Sequence, residues 1–249
     1  MATELLYGRR PVYESLRAGR RSFRQLILAD RVEEGEVIGQ ILELAAVRHL
    51  RIERAPRPSL DARLETTSHQ GVLLEAGEYP YVPIEQALET AAERGEPPFV
   101  LVLDLLQDVQ NVGTLLRAAE AVGVHGVVIQ ERRAAPITPA VVSASSGAVE
   151  HLAVARVTNL VQTMRALQER DIWLAGLDQE GDSVRIDRAK LNGAIGIVVG
   201  GEGKGLRRLV RETCDFVISL PMRGKVESLN AATAGSVALY AAWQARGFG

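Results

Sequence analysis

The chain has 249 residues, 47% of them hydrophobic, a net charge of −2 and a single cysteine, Cys214. That length accommodates one large domain or two smaller ones around a sizeable core. The near-neutral balance excludes a protein that binds nucleic acid by bulk charge. One cysteine excludes an internal disulfide or a cysteine-built zinc site, and no metal is expected. Lysine occurs only at Lys190, Lys204 and Lys225, so the cationic side is nearly all arginine. Arginine suits bidentate contacts with phosphate or carboxylate, although genomic base composition accounts for the bias equally well. No apolar run approaches the roughly 20 residues that span a bilayer. The amino terminus lacks a signal-peptide core, so a cytoplasmic protein is expected.

In chain order, "GRRPVYESLRAG" reads as a helix with Pro11 in its first turn and Gly19 as its stop. "QLILA" is a strand, "EEGEVIGQILELAAVRHL" a helix and "HQGVLLEA" a strand. These make a small α/β domain over residues 1–78. Residues 79–97, with prolines at both ends of a short polar helix, read as a linker. From 98 to 249 strands and helices alternate. "PFVLVLDLL" is a strand, 111–122 a helix, "GVVIQ" a strand, and "TPAVVSASSGA" opens a helix at Pro139. "NLVQTMRALQERD" is a helix, "IWLAGL" and "AIGIVVGG" are strands, and a short helix starts near Gly205. The strand "FVISL" and a long helix finish the chain. Such alternation predicts an α/β fold with a parallel sheet covered on both faces.

Ligands of open parallel sheets bind beyond the carboxyl ends of strands. Three such segments carry polar chemistry. In "VQNVGTLLRAAEAVGV" an arginine, Arg117, interrupts an apolar helix. It either forms a structural ion pair, with Asp104 or Glu120, or serves a site. Asn111 and Gly113 just ahead of it are read as shaping the strand-to-helix turn. "VVGGEGKGL" is a glycine-rich loop that is either a ligand cradle or a tight turn. It fails the nucleotide P-loop pattern, because Gly205 follows Lys204 where Ser or Thr is needed. It also fails the dinucleotide pattern. In "PMRGKVESLNAA", Ser228 and Asn230 either cap the last helix or face a ligand. The run "AATAGSVALYAA" after Asn230 is rich in small residues and favours close packing or self-association.

Together, "NVGTLLRAA", "IVVGGEGKGL" and "ISLPMRGKVESLN" resemble the three motifs of the SpoU family of RNA ribose 2′-O-methyltransferases, in the SPOUT superfamily. "LLYGRRPVYESLRAG" and "SHQGVLL" resemble the ribosomal-protein-like RNA-binding domain that precedes many members. "GVHGVVI" and "RVTNLVQTMRALQE" are most similar to the branch that methylates a guanosine of 23S ribosomal RNA. The resemblance implies a deep trefoil knot in the carboxy-terminal domain, a homodimer formed through it, and S-adenosylmethionine as methyl donor. It implies catalytic roles for Asn111, Arg117, Glu202, Ser228 and Asn230. The cofactor would lie against Gly200, Gly201, Gly205, Leu220, Met222 and Leu229. Arg117 would act on the 2′-hydroxyl. A guanidinium stays charged at neutral pH, so stabilising the developing alkoxide is the alternative to taking its proton. After "SLN" many members have a small residue and then serine, where this chain has Ala231 and Ala232.

Residues 1–24 hold six arginines, of which Arg9, Arg10, Arg20, Arg21 and Arg24 are the candidate RNA contacts. The alternative is a solvated helix face. The rival readings are a transfer-RNA 2′-O-methyltransferase, a non-catalytic RNA-binding protein on the same scaffold, and a nucleotide-dependent enzyme of ordinary doubly wound fold.

Overall fold

A computed structural model of the chain describes residues 3–33, 35–64, 68–179, 181–201, 205–226 and 228–248. The chain forms two compact units, Met1–Pro80 with Ile137–His151, and Tyr81–Pro136 with Leu152–Gly249. The chain begins with β1 (Thr3–Tyr7), α1 (Arg9–Ala18), β2 (Phe23–Ala29) and α2 (Glu36–Val47). It continues with β3 (Arg51–Ala55), α3 (Arg57–Asp61), β4 (Val72–Gly77) and α4 (Ile84–Glu93). Then come β5 (Phe99–Asp104), α5 (Val109–Ala121), β6 (Gly126–Gln130), α6 (Pro139–Ala144) and β7 (Val154–Val157). The last elements are α7 (Leu160–Gln168), β8 (Trp173–Leu177), β9 (Val184–Arg185), β10 (Ile195–Gly200), α8 (Arg208–Thr213), β11 (Phe216–Ser219) and α9 (Ala231–Ala245). Among the described residues, no helix is long and apolar enough to cross a membrane.

The first unit is a mixed sheet in the order β1-β4-β2-β3, with α1 and α2 packed together. Helix α1 ends as its sequence predicts, on Gly19 in the left-handed region with φ 64°. Strands β1 and β3 were not legible, because neither alternates nor runs apolar long enough to stand out from loop. Residues 137–151, including α6, pack with this unit although the sequence placed them in the carboxy-terminal domain. Their Glu150 explains part of the attachment. The Arg21 guanidinium is completely buried and donates to both Glu150 oxygens, at 3.0 and 2.7 Å. It also donates to Glu4 and to the Gly77 carbonyl. The Tyr79 ring lies 5.1 Å from it, and the Tyr79 hydroxyl donates to the Val149 carbonyl. Burial pushes the Tyr79 phenol up to about 12. Burial also raises the Glu4 carboxyl above its usual value, against the opposing pull of Arg21. Arg21 is therefore an interior strut, which corrects its assignment as an RNA contact.

The second unit carries seven parallel strands in the order β7-β6-β5-β10-β8-β11-β9. Strands β5 and β10 are buried at every position. That is why "FVLVLD" and "IGIVVG" read as continuous apolar runs rather than alternating ones. Residues 79–97 are more than the expected linker. Ile84, Ala87, Leu88 and Ala91 of α4 bury one face in this unit's core, beside Val100, Val128 and Leu174. The strand-to-helix turn after β5 also differs from the sequence reading. Leu105 adopts φ 54°, and Asp108 caps α5 by accepting the Asn111 amide at 2.8 Å. Asn111 and Gly113 thus sit inside the first turns of α5, not in the turn before it.

Removing one partner of a buried ion pair leaves an uncompensated charge and costs about 3–5 kcal/mol. Glu150→Ala is expected to destabilise the protein by that amount in urea unfolding, and Glu150→Gln by less.

Candidate active site

Because all seven strands are parallel, their carboxyl ends share one edge. Strand β10 lies between β5 and β8, and its register aligns Gly200 with Asp104 and Val199 with Leu177. The sheet grows outward in both directions from the β5–β10 pair, the arrangement that opens a crevice at strand ends. A cavity of about 730 Å³ lies there. It is lined by Gly200, Gly201 and Gly205 after β10, and by Leu220 after β11. Ser228, Leu229 and Asn230 ahead of α9, and Asp178 and Gln179 after β8, complete it. A second cavity of about 380 Å³ shares Gly201 and Gly205 and is walled by residues 104–108, Asn111 and Arg207.

Sterics explain the glycines. A Cβ on Gly200 would stand 2.2 Å from the Gly205 carbonyl oxygen and 2.6 Å from the Leu206 nitrogen. The loop backbone passes directly over Gly200 and excludes any side chain there. Gly205 turns back with φ 57° and bridges Gly201. On α9, a Cβ at Gly235 would meet Leu115 at 2.5 Å and Val199 at 3.1 Å. The small-residue tail therefore lets α9 lie against α5 and β10.

Two polar locks hold the three segments together. Asn230 caps α9, its Oδ1 accepting the Ala232 and Thr233 amides at 2.9 and 3.2 Å. Its Nδ2 donates to Asn111 Oδ1 at 3.0 Å, so the residue both caps a helix and ties the third segment to the first. Ser228 does not cap the helix; it lines the larger cavity. The second lock is Asp104, the last residue of β5, whose carboxylate is fully buried. Its Oδ2 accepts the Arg207 amide at 2.9 Å, and its Oδ1 accepts Arg207 Nε at 2.7 Å. Arg207 Nη2 also donates to Gln130 at 3.0 Å. Asp104 thus pairs with Arg207 and not with Arg117.

The structure brings together most of the predicted residues. Met222 is half-buried and does not line the larger cavity. Glu202 lies outside the described residues. Arg117 is exposed on α5 and lines neither cavity, so its charge carries no burial cost. Of the basic residues, Arg20 donates to the Tyr79 hydroxyl and to the Pro80 and Glu150 carbonyls, each at 3.3 Å. Arg24 is exposed, 3.9 Å from Glu75. Arg9 and Arg10 start α1, and Arg20, Arg21 and Arg24 follow its far end, so one sequence cluster is divided between two ends of the unit. Sequence reasoning missed Asp104 and Arg207 as partners, and Asp178 as a wall of the cavity. Asp178 is legible only as the polar residue directly after a strand.

Comparison with known proteins agrees with this geometry. Residues 98–240 match the model of the SpoU rRNA methylase family. Residues 5–82 match that of the RNA 2′-O ribose methyltransferase substrate-binding domain. A Bacillus subtilis protein named as a TrmH family tRNA/rRNA methyltransferase, YacO, is 41% identical over 98% of this chain and 96% of its own. A relative of similar name from Staphylococcus saprophyticus is 35% identical over 98% of this chain and 96% of its own. The SpoU methyltransferase AviRb from Streptomyces viridochromogenes, solved in complex with AdoMet, superposes with a TM-score of 0.80. That match has 25% identity and covers 99% of this chain and 92% of AviRb. The chain belongs to the SpoU family of RNA methyltransferases, with an amino-terminal substrate-binding domain of that family.

Asp104→Ala removes two hydrogen bonds from a buried carboxylate, one of them to a cation; charged hydrogen bonds contribute about 1.5–3 kcal/mol each. Thermal unfolding is expected to show a loss of about 2–4 kcal/mol, and the variant's affinity for S-adenosylmethionine in calorimetry is expected to fall with it.

Proposed function

We propose that the chain transfers a methyl group from S-adenosylmethionine to a ribose 2′-hydroxyl of RNA, at a guanosine of 23S ribosomal RNA. The observation that carries this reading is the cavity beyond β8, β10 and β11, closed by the Asn111–Asn230 bond. Its residues suit the donor. The volume falls in the range of small-ligand sites. The Gly200–Gly205 fold-back offers backbone groups close to a ligand, and Asp178 offers a carboxylate to a ribose or a cationic amino-acid head. When bound there, S-adenosylmethionine supplies an electrophilic methyl on sulfur. The rest falls to the chain's residues. Gly200, Gly201, Gly205, Leu220 and Leu229 would hold the donor. Asn111 and Asn230 would fix the wall against which the ribose rests, and positioning of this kind accounts for much of the rate. Ala232 donates its amide to the Asn230 cap, so the position after Ala231 serves the helix here without a hydroxyl.

Arg117 lies off both cavities, which supports a homodimer as the working form. Next to α5, helix α9 exposes Val237 and Tyr240, 45% and 46% accessible. Leu229 and Val226 add further exposed apolar surface. A second copy covering these faces would place Arg117 beside a cavity of the partner subunit. There the guanidinium would stabilise the developing 2′-alkoxide. The substrate-binding unit at residues 5–82 supports a structured RNA as substrate, and the family's name supports ribosomal RNA.

Arg117→Ala is expected to lower methyl transfer to RNA at least about 100-fold while calorimetric binding of S-adenosylmethionine persists; near-wild-type turnover would overturn the assignment. Mapping 2′-O-methyl sites in total RNA with and without the protein is expected to show one lost position in 23S RNA. The protein is expected to be a dimer in light scattering at micromolar concentration, and Tyr240→Glu a monomer.

A further inference from the structure

In the first unit, β4 runs antiparallel to β1 and β2, and β3 runs parallel to β2. The carboxyl ends of β1, β2 and β3 and the start of β4 therefore meet at one edge. A cavity of about 510 Å³ opens there. Three separate segments bring guanidiniums to it: Arg9 at the start of α1, Arg31 after β2 and Arg57 after β3. Asp30, Glu33 and Gln70 add hydrogen-bond acceptors. Arg31 and Arg57 are exposed and make no hydrogen bond or ion pair among the described residues. Arg9 reaches Glu33 only at 3.9 Å. These charges are held where folding has no use for them.

The floor of the cavity is fixed. Gln70 and Gly71 are both left-handed, with φ 53° and 78°. Gln70 Oε1 accepts the Arg9 amide at 3.0 Å. Behind this turn His69 is completely buried; its Nδ1 accepts the Gly71 amide at 3.0 Å, and its Nε2 lies 2.8 Å from Asp61. Accepting at Nδ1 leaves the proton on Nε2, donated to Asp61, so the ring holds one tautomer and one orientation.

We propose that this cavity holds an unpaired nucleotide of the RNA substrate. Its phosphate is gripped by Arg9, Arg31 and Arg57, whose planar forks match phosphate oxygens. Its base N–H groups or 2′-hydroxyl donate to Asp30 and Glu33. Carboxylates disfavour the smooth phosphate backbone of a duplex, but they accept from the exposed edge of a splayed-out base. The inference rests on the reading above for the nature of the polymer and locates its anchor away from the Arg20, Arg21 and Arg24 end of the unit.

The test uses the full-length protein without S-adenosylmethionine. The probe is a fluorescein-labelled RNA hairpin with an unpaired loop of mixed sequence, set against a blunt duplex of the same stem. The hairpin is expected to bind at least tenfold more tightly than the duplex. The double variant Arg31→Glu, Arg57→Glu should lose at least tenfold in hairpin affinity. Its slope of log K against log salt should fall by about 1.4, two phosphate contacts at about 0.7 each. Thermal unfolding verifies that the variant is folded, and the milder pair Arg31→Ala, Arg57→Ala should move in the same direction. Arg51→Glu, at the opposite end of β3, should change neither quantity. Equal binding of hairpin and duplex, an unchanged slope in both double variants, or an equal loss in Arg51→Glu would overturn the proposal. A wild-type protein that binds the hairpin through Arg31 and Arg57 yet methylates no RNA would overturn the functional reading and leave this one standing.

Discussion

A buried carboxylate at the end of β5 is the constraint on which the site depends. Asp104 is surrounded by apolar strands, and a charge there is tolerable only if its oxygens are satisfied. Arg207 satisfies both, one through its main-chain amide and one through its guanidinium. The pairing anchors the chain immediately after the glycine-rich segment onto the neighbouring strand of the sheet. The loop backbone is then drawn over Gly200 so tightly that no side chain fits beneath it. The crevice between β5 and β10 owes its shape to this one ion pair and the glycine that accommodates it.

The Asn111–Asn230 bond performs the complementary task. Each residue sits at the amino end of a helix, α5 or α9, and those helices are brought into contact by the absence of a side chain at Gly235. A capping residue and a site residue turn out to be the same residue. The choice between a structural and a functional role for Asn230 was therefore not a real choice: fixing the end of α9 is how the residue fixes the wall of the cavity.

Arginines show how differently one residue type is used within a short stretch. Arg21 is enclosed by two carboxylates and a tyrosine ring and serves the fold. Arg20 is tied to main-chain carbonyls. Arg9 points toward the cavity that Arg31 and Arg57 also line. Seen along the sequence, the residues from Arg9 to Arg24 form one basic cluster. Because a helix separates their two ends, the fold divides them between opposite edges of the sheet.

By itself, the sequence determined the elements and their order, because period and run length are local properties. The apolar runs of β5 and β10, the Pro11-to-Gly19 helix and the alternation of strands and helices follow from neighbouring residues, and the three motifs mark the family. Tertiary structure alone decided which strand ends meet. Strand β10 inserts between β5 and β8, and that non-local pairing brings Asp104 to Arg207, Asn111 to Asn230 and Asp178 to the glycine loop. It also decided burial. Nothing local separates Arg21, enclosed against a glutamate 129 residues away, from Arg117, which stands in solvent. Burial of a charge depends on what the rest of the chain packs around it.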